Sequence, residues 1–329
     1  MNDVAKVAGV SHQTVSRVLN EHPSVRPETK LRVQQAIESL GYRRNTAARA
    51  LVTRKSGVIG VITTGSTLFG PQRALIAIEE AAREAGYFIS MATIKRPTAR
   101  TMRELLDHLV GQSVEGIVVI APQTEVLDAV LAFKAPVPVV LYGAAQDGDI
   151  GVQTVSLDQV EAGRMAVAHL ADLGHERIAH VSGPLDWSDA KERLEGWKQG
   201  CQELGLAAVP LIQSDWSAER GYEVGIHLVR SGAPTAVFAA NDMIALGLIR
   251  AFVEQGLRVP EDVSVVGVDD MPGASNFLPP LTTIHHDFAT LGRRIIESLL
   301  TVIDGGEPTN VVLRPDLVVR ASTTVAQPS

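Results

Sequence analysis

One short stretch, residues 11–20 (SHQTVSRVLN), combines hydrogen-bonding side chains with helical spacing. Val15, Val18 and Leu19 recur at i, i+3 and i+4, which predicts a helix with one apolar face. Ser11 stands at the N-cap position, where its hydroxyl can accept a hydrogen bond from a first-turn N–H. The opposite face carries five polar side chains, those of His12, Gln13, Ser16, Arg17 and Asn20. Side chains of these types can hydrogen-bond base edges in a DNA major groove.

A second amphipathic segment lies directly upstream. Residues 3–8 (DVAKVA) place Val4, Val7 and Ala8 on one face, and Gly9 follows in a short turn. Two short helices joined by a glycine-containing turn predict a helix-turn-helix, whose second helix enters the major groove. The alternative on pattern alone is a pair of amphipathic helices in some other all-α domain.

Signatures of catalysis and metal binding are missing from the sequence. We find no GxGxxG after a predicted strand, no GxxxxGK[ST], no GxSxG and no HExxH. His175 and His180 lie five residues apart across a predicted strand start, so they share no helical face. His285 and His286 are adjacent on a predicted strand and point to opposite sides. We therefore expect no metal, no cofactor and no enzymatic activity.

Polar side chains at the ends of predicted strands suggest a different chemistry. Asn241 follows the run AVFAA, Asp269 follows VSVVGV, Arg193 comes after the strand that ends near Gly183, and Trp216 lies in the loop SDWSAER. Carboxylate, amide and guanidinium groups can bind sugar hydroxyls, and an indole ring can pack against the C–H face of a sugar. A single strand-end Asp is more often a cap, so these four residues only modestly favour a sugar cleft.

Length and composition set the class of protein. The chain has 329 residues, of which 45% are hydrophobic and 20% charged, as in ordinary globular proteins of two or three domains. It has neither an apolar run of membrane-span length nor a signal peptide, so we expect a cytoplasmic location. The single cysteine, Cys201, excludes an intrachain disulfide framework, and its helical surroundings predict a packed small residue.

The charge is unevenly distributed. Residues 1–55 contain ten Lys and Arg but four acidic residues, a net charge of +6, whereas the rest of the chain carries −13. A basic segment attached to an acidic body favours a polyanionic partner at one end only. The charge pattern thus agrees with nucleic-acid binding by the N-terminal segment.

Beyond this segment the pattern changes to alternating strands and helices. A third helix is predicted from Pro27 to Gly41. Short β-branched runs then predict strands at residues 58–64, 88–93, 116–121, 137–143, 177–183, 236–242 and 263–270, with helices such as 73–85 and 159–173 between them. Such a pattern predicts parallel sheets covered on both faces, with ligands beyond the carboxyl ends of the strands. There are too many units for one sheet, which suggests two lobes.

The sequence resembles a known family over nearly its whole length. Residues 3–20 (DVAKVAGVSHQTVSRVLN) resemble the DNA-binding motif of the LacI/GalR family of bacterial transcription regulators. The segments HVSGPLDWSDAKERLEGW, SDWSAERGY, AANDMIALGLIRA, VSVVGVDD and LPPLTTIHHDF extend the resemblance towards the C-terminus. It implies an all-α helix-turn-helix headpiece at 1–44, a hinge helix or linker at 45–55, a two-lobed, periplasmic-binding-protein-like α/β effector domain of type I at 56–322, and a polar tail at 323–329. One lobe would comprise about 56–154 plus 288–315, and the other about 155–287 plus 316–322.

The resemblance also implies site residues. DNA contacts are expected from Ser11, His12, Gln13, Thr14, Ser16, Arg17, Asn20, Thr29, Tyr42, Asn45 and Leu51. Leu51 matches a leucine that the family presses between base steps of the minor groove, although the pattern alone indicates an ordinary linker. Effector contacts are expected from Thr64, Leu68, Tyr142, Arg193, Trp216, Asn241, Asp269, His286 and Phe288. Tyr142, His286 and Thr154 stand where a sugar-binding member of the family has Asp, Gln and Phe, which implies a sugar of related but different shape.

Together these features predict a cytoplasmic, homodimeric regulator of carbohydrate-utilisation genes that binds a palindromic operator and releases it when a small sugar binds. The tail RASTTVAQPS lacks a leucine heptad, so we expect a dimer without further assembly. A sugar-binding receptor without DNA function is the alternative from another class, and the basic headpiece and missing export signal disfavour it. A regulator with a purine-type co-repressor is a further alternative.

Overall fold

The computed structural model describes the chain except for residues 20–21, 43–54, 96–97, 132–134, 144–151, 208, 210, 233 and 328–329. It divides the chain into two compact units, Met1–Ser56 and Gly57–Ser329. Among the described helices, none is both long enough and apolar enough to span a membrane.

The described part of the first unit forms a headpiece of three helices. Its helices are α1 (Asn2–Ala8), α2 (His12–Leu19) and α3 (Pro27–Ser39). Gly9 adopts a left-handed φ of +63° between α1 and α2, which glycine does without steric cost. The Ser11 hydroxyl accepts a hydrogen bond from the Thr14 N–H at 3.1 Å, so Ser11 caps α2 as its position predicts. The core consists mainly of small apolar side chains: Val4, Ala5, Ala8, Val15, Val18, Val33 and Ala36.

The second unit contains two six-stranded sheets, each at the centre of one lobe. The first lobe has the strand order β11-β5-β4-β3-β1-β2, and all its paired strands are parallel. Its strands are β1 (Val58–Thr63), β2 (Phe88–Thr93), β3 (Gly116–Ala121), β4 (Val139–Gly143), β5 (Gln153–Leu157) and β11 (Val311–Leu313). Its helices are α4 (Phe69–Glu84), α5 (Ala99–Gly111), α6 (Thr124–Leu131) and α11 (Phe288–Ile303).

The second lobe repeats this plan with one reversed strand. Its strand order is β12-β10-β9-β8-β6-β7, in which only the pair of β10 and β12 is antiparallel among the described strands. Its strands are β6 (Ile178–Ser182), β7 (Ile212–Gln213), β8 (Ala236–Ala239), β9 (Ser264–Val268), β10 (Thr282–His285) and β12 (Asp316–Val318). Its helices are α7 (Gln159–Asp172), α8 (Ser188–Glu203), α9 (Ala218–Arg230) and α10 (Asp242–Glu254).

Each sheet is buried on both faces. In β1, Ile59 and Val61 pack with α4 and α11, whereas Ile62 packs with α5 and α6 on the other side. The second sheet likewise packs α9 and α10 against one face and α7 and α8 against the other. Double-sided burial explains why these strands are continuous apolar runs and not alternating ones.

The described part of the chain passes between the lobes at three places. The first of these lies slightly later in the sequence than predicted. Strand β5 (Gln153–Leu157) belongs wholly to the first sheet, so the first crossing follows Leu157 and not residue 154. Thr154 and Ser156 are polar, so the sequence lacks the continuous apolar run of a buried strand here, although both residues are buried. The other crossings come between β10 and α11 and between β11 and β12.

Helices α7 and α8 pack unusually closely because glycine residues face each other. A Cβ atom at Gly196 would overlap the carbonyl oxygen of Val160, and one at Gly163 would overlap that of Arg193. The contact therefore fixes the position of α8, which carries Arg193, against α7.

We predict that Gly196→Ala lowers the free energy of unfolding by about 3 kcal/mol, because the added methyl group meets rigid backbone. Urea unfolding followed by circular dichroism would measure this loss. Gly111→Ala is the matched control, because Gly111 also lies in a helix but has no neighbour within 4 Å of a new Cβ. Equal midpoints for the two variants would show that the α7–α8 contact is not tight.

Candidate functional site

The polar face of α2 lies on the surface of the headpiece. His12, Gln13 and Arg17 are exposed, whereas Thr14 and Ser16 are half-buried. Ser11, just before α2, is also exposed, and its hydroxyl lies 2.9 Å from that of Thr14. The guanidinium of Arg17 and the amide of Gln13 thus project from a short helix of a size that fits a major groove.

The remaining predicted DNA contacts are distributed as follows. Thr29 is half-buried in the first turn of α3, and Tyr42 packs against the headpiece core. Asn20, Asn45 and Leu51 lie outside the described residues, as does most of the predicted hinge. Their roles stay predictions.

A cleft lies between the two lobes at the carboxyl ends of their strands. Ten residues line a cavity of about 30 Å³ there, and five of them are predicted effector contacts: Leu68, Arg193, Trp216, Asn241 and Asp269. The other five, which sequence reasoning missed, are Phe69, Gly70, Pro71, Trp187 and Asp189. Residues 68–71 come from the first lobe and the others from the second.

Arg193 is the most densely bonded side chain in this cleft. Its Nε donates to Gln159 Oε1 at 2.8 Å, its Nη1 donates to the Ala240 carbonyl oxygen, and its Nη2 lies 3.8 Å from Asp269 Oδ1. Only 4% of the residue is exposed. Arg193 is therefore not part of a surface ion pair, because its guanidinium points inward to three other elements.

Gln159 links two of the predicted effector residues and carried no signal in the sequence. Its Oε1 accepts hydrogen bonds from Arg193 Nε and from His286 Nε2, the latter at 3.1 Å. His286 Nε2 must therefore carry a proton, and burial lowers the pKa of His286 well below its usual value, so the ring is neutral. Its Nδ1 is left as a buried acceptor without a partner in the described structure.

Trp216 and Asn241 contact each other on the second-lobe wall of the cleft. Asn241 Nδ2 donates to the Trp216 carbonyl oxygen at 3.2 Å, and Asn241 Oδ1 caps α10 by accepting from the Ile244 N–H at 2.8 Å. The Trp216 ring lies 5.8 Å from the Arg193 guanidinium carbon and 5.9 Å from the Trp187 ring. The indole is thus held beside the cation, with its Nε1 buried and unpartnered.

The other predicted effector residues stand outside the cavity lining. Tyr142 is buried in β4, and Phe288 packs edge-on against Phe69 at 5.9 Å. Thr64 follows β1, and its buried Oγ1 has no partner in the described structure. Thr154 is buried in β5. None of these residues lines the cavity, although Phe288 contacts Phe69, which does.

Backbone strain is concentrated at the cleft. Trp216 has a φ of +75° and Asp269 a φ of +112°, a region that L-residues rarely adopt. Residues held in such conformations cost free energy and persist where the surroundings fix them. Here the fixed positions are those of an aromatic ring and a carboxylate that face the cavity.

The cleft holds more carboxylates than cations. Burial raises the pKa of Asp269 to about 7, against the lowering effect of Arg193, and burial also raises the pKa of Asp189. Burial, together with the nearby charges of Asp189 and Asp158, raises the pKa of Glu192 to about 8. Arg193 alone therefore does not compensate the surrounding acids.

The histidines considered for a metal have structural roles. His175 contacts Thr235, Ser264 and the Thr324 carbonyl oxygen, which attaches the C-terminal segment to the second lobe. His180 Nδ1 pairs with the Phe238 carbonyl oxygen in the core. The described residues contain no group of side chains suited to a metal ion. Cys201 is buried in α8, as its helical surroundings predict.

The raised pKa of Glu192 predicts a pH-dependent stability. Between the unfolded value of about 4.3 and the folded value of about 8, the native state holds a proton that the unfolded state lacks. The stability from this proton falls as pH rises through that window. Glu192→Gln should therefore flatten the decline in Tm between pH 5.5 and 8.5 and raise Tm at pH 8.5.

Glu195→Gln, an exposed change on the same helix, is the matched control and should keep the wild-type slope. Identical slopes in Glu192→Gln and the wild type would contradict this account of the carboxyl group.

Comparisons with known proteins agree with both units. Residues 1–45 match the family described as bacterial regulatory proteins, lacI family, and residues 167–323 match the periplasmic binding protein-like domain. The chain is 34% identical to the lactose operon repressor of Escherichia coli over 325 residues, which cover 98% of this chain and 90% of that protein. It is also 34% identical to the transcriptional repressor PurR of Pasteurella multocida, with 98% of both chains covered.

Solved structures show the same relationship. The lac repressor dimer bound to operator and the anti-inducer ONPF superposes with a TM-score of 0.88 at 33% identity, covering 98% of both chains. The complex of the transcriptional regulator CelR with cellobiose superposes with a TM-score of 0.72 at 31% identity, covering 97% of this chain and 98% of that one. The headpiece, the two-lobed α/β fold and these similarities lead to one conclusion: the chain belongs to the lacI family of bacterial regulatory proteins and is a DNA-binding transcriptional repressor.

Proposed function

We propose that this repressor is a homodimer that binds a palindromic operator and releases it when a small sugar enters the cleft between its lobes. The observation that carries the proposal is the joint lining of that cleft by Arg193, Trp216, Asn241 and Asp269. Together they offer a guanidinium, an aromatic ring, an amide and a carboxylate. This combination binds sugar hydroxyls on one side and a sugar C–H face on the other.

The relatives support two effector classes. Similar proteins include the lactose operon repressor and a CelR–cellobiose complex, but also PurR repressors. The side chains favour the sugar, because the ionisable groups are mainly carboxylates, which accept hydrogen bonds from hydroxyls. A purine co-repressor is the second candidate, and the pair of indole rings at Trp187 and Trp216 is the feature that supports it.

Entry of the effector requires the lobes to separate. The cavity of about 30 Å³ holds roughly one water molecule, whereas ligand pockets usually enclose about 300 Å³ or more. The lobes are also clasped beside it: the Ser188 N–H and hydroxyl both donate to the Pro122 carbonyl oxygen, at 2.9 and 3.0 Å. We propose that binding shifts the relative position of the lobes and thereby the affinity for operator.

A dimer is supported by exposed apolar side chains that a lone chain leaves in water. They lie on α4 and β2 of the first lobe and on α10 and the loop before β10 of the second: Ile76, Phe88, Met91, Leu246, Val253 and Leu278. A similar chain crystallised as an operator-bound dimer. We propose that two copies meet along these surfaces, in the cytoplasm, where the operator is.

We propose that DNA contacts come from α2 and from the hinge, with Leu51 wedged in the minor groove as a source of bending. The genes under control would serve carbohydrate use. A two-fold dimer reads two half-sites, so the operator should be palindromic.

Arg17→Ala should weaken binding to the operator by about 1–3 kcal/mol, if this exposed guanidinium bonds a guanine edge. Binding to a scrambled duplex should fall much less. Lys6→Ala, which removes a positive charge in α1, is the control for charge alone. Fluorescence anisotropy at fixed salt measures binding to the operator and binding to the scrambled duplex. An unchanged ratio of specific to non-specific affinity would show that Arg17 contacts a phosphate or has only a structural role.

Arg193→Ala should leave operator affinity near wild type without sugar but abolish sugar-induced release. The reason is that Arg193 lies in the cleft of the second unit and offers a planar fork to adjacent hydroxyls. A reporter strain would show permanent repression. Arg164→Ala, on the exposed side of α7, controls for loss of an arginine. If the Arg193→Ala variant releases the operator at the sugar concentration that releases the wild type, the effector binds elsewhere.

A further inference from the structure

A second, larger cavity lies between the lobes on another side of α8. It encloses about 330 Å³, and its walls come from β3, β4 and α6 of the first lobe and the first turn of α8 in the second. None of the nine predicted effector residues lines it. Its volume lies in the range of pockets that hold small ligands.

Most polar groups that line this cavity are hydrogen-bond acceptors that can accept further hydrogen bonds. Asp128 and Glu192 face it from opposite lobes, and neither carboxylate forms a hydrogen bond or ion pair in the described part of the chain. The cavity's ammonium group, that of Lys191, already donates to Thr124 Oγ1 at 3.1 Å. Gln123 adds an amide to the wall. The lining therefore holds two carboxyl groups that Lys191, the one ammonium group among its residues, does not contact.

The position of Glu192 disfavours the charged form of its carboxyl group. It lies one turn after Asp189 on the same face of α8, and the carboxylates of Asp189 and Asp158 act on it. Arg193 acts in the opposite sense but is bonded to Gln159, Ala240 and Asp269. The chain meets this repulsion by keeping Glu192 protonated at neutral pH, and a cation in the cavity would instead stabilise its carboxylate form.

We propose that this cavity is a second ligand site, which binds a small protonated amine that also carries hydroxyl groups, such as an amino sugar. Its ammonium group contacts Glu192 and Asp128, and its hydroxyl groups contact Gln123 and Thr124. Because the walls belong to both lobes, a bound amine bridges them and stabilises the clasped arrangement. The site is separate from the proposed effector cleft and modulates the same lobe movement.

Thermal-shift titration of the full chain tests this proposal with D-glucosamine, D-galactosamine and D-mannosamine. The neutral comparisons are N-acetyl-D-glucosamine and D-glucose. At least one amine should raise Tm with saturation, while the neutral sugars do so less at equal concentration. Glu192→Gln and Asp128→Asn should each raise the apparent Kd of that amine at least tenfold. Glu195→Gln, on the same helix but outside the cavity, should leave it unchanged.

Arg193→Ala separates this site from the effector cleft, since the amine response should persist in that variant. Three results would overturn the proposal: no stabilisation by any of the three amines, equal stabilisation of Arg193→Ala by the neutral sugars, or an amine response lost in Arg193→Ala but kept in Glu192→Gln. Sugar-dependent operator release, measured separately, reports on the proposed effector cleft, so either site can fail without the other.

Discussion

Burial of the Arg193 guanidinium is the constraint on which the arrangement of the cleft depends. A buried cation is tolerated only when hydrogen bonds and an opposite charge replace its water. The replacements come from three places in the second lobe: Gln159 at the start of α7, Ala240 after β8 and Asp269 after β9. Satisfying one side chain therefore fixes the mutual positions of two helices and two strand ends.

The close packing of α7 and α8 serves the same end. Glycine at 163 and 196 lets the two helix backbones touch, which brings Gln159 within reach of Arg193. The strained backbone of Asp269 then turns its carboxylate towards the guanidinium and the cavity. Small residues in a helix contact and an unfavourable φ at a strand end thus contribute to one polar site. The excess of carboxylates around it favours a partner rich in hydrogen-bond donors.

Some of this could be predicted from sequence for clear physical reasons. Helical spacing and the cap at Ser11 identify the headpiece, and continuous apolar runs identify strands buried on both faces. Strand β5 was not predicted to lie wholly in the first sheet because Thr154 and Ser156 are polar. In the structure the Thr154 backbone N–H donates to Asn310 Oδ1, and the Ser156 hydroxyl donates to the Val311 carbonyl oxygen of the edge strand. Gln159 was not predicted as a site residue because an isolated glutamine at the start of a helix has no distinctive neighbours in the sequence. Asp189 lies one turn before Arg193 on α8, so helical periodicity could have placed it beside Arg193 in the cleft.

The most direct test of the central claim, that the cleft couples a sugar to operator release, is the operator affinity itself. An operator selected from a random duplex library and labelled for fluorescence anisotropy should be titrated with the protein, alone and with saturating sugars or purine bases. The account predicts that at least one sugar raises the operator Kd at least tenfold and that the operator raises the Kd of that sugar by the same factor. Tighter operator binding with a purine, or an operator Kd that no sugar changes, would contradict it.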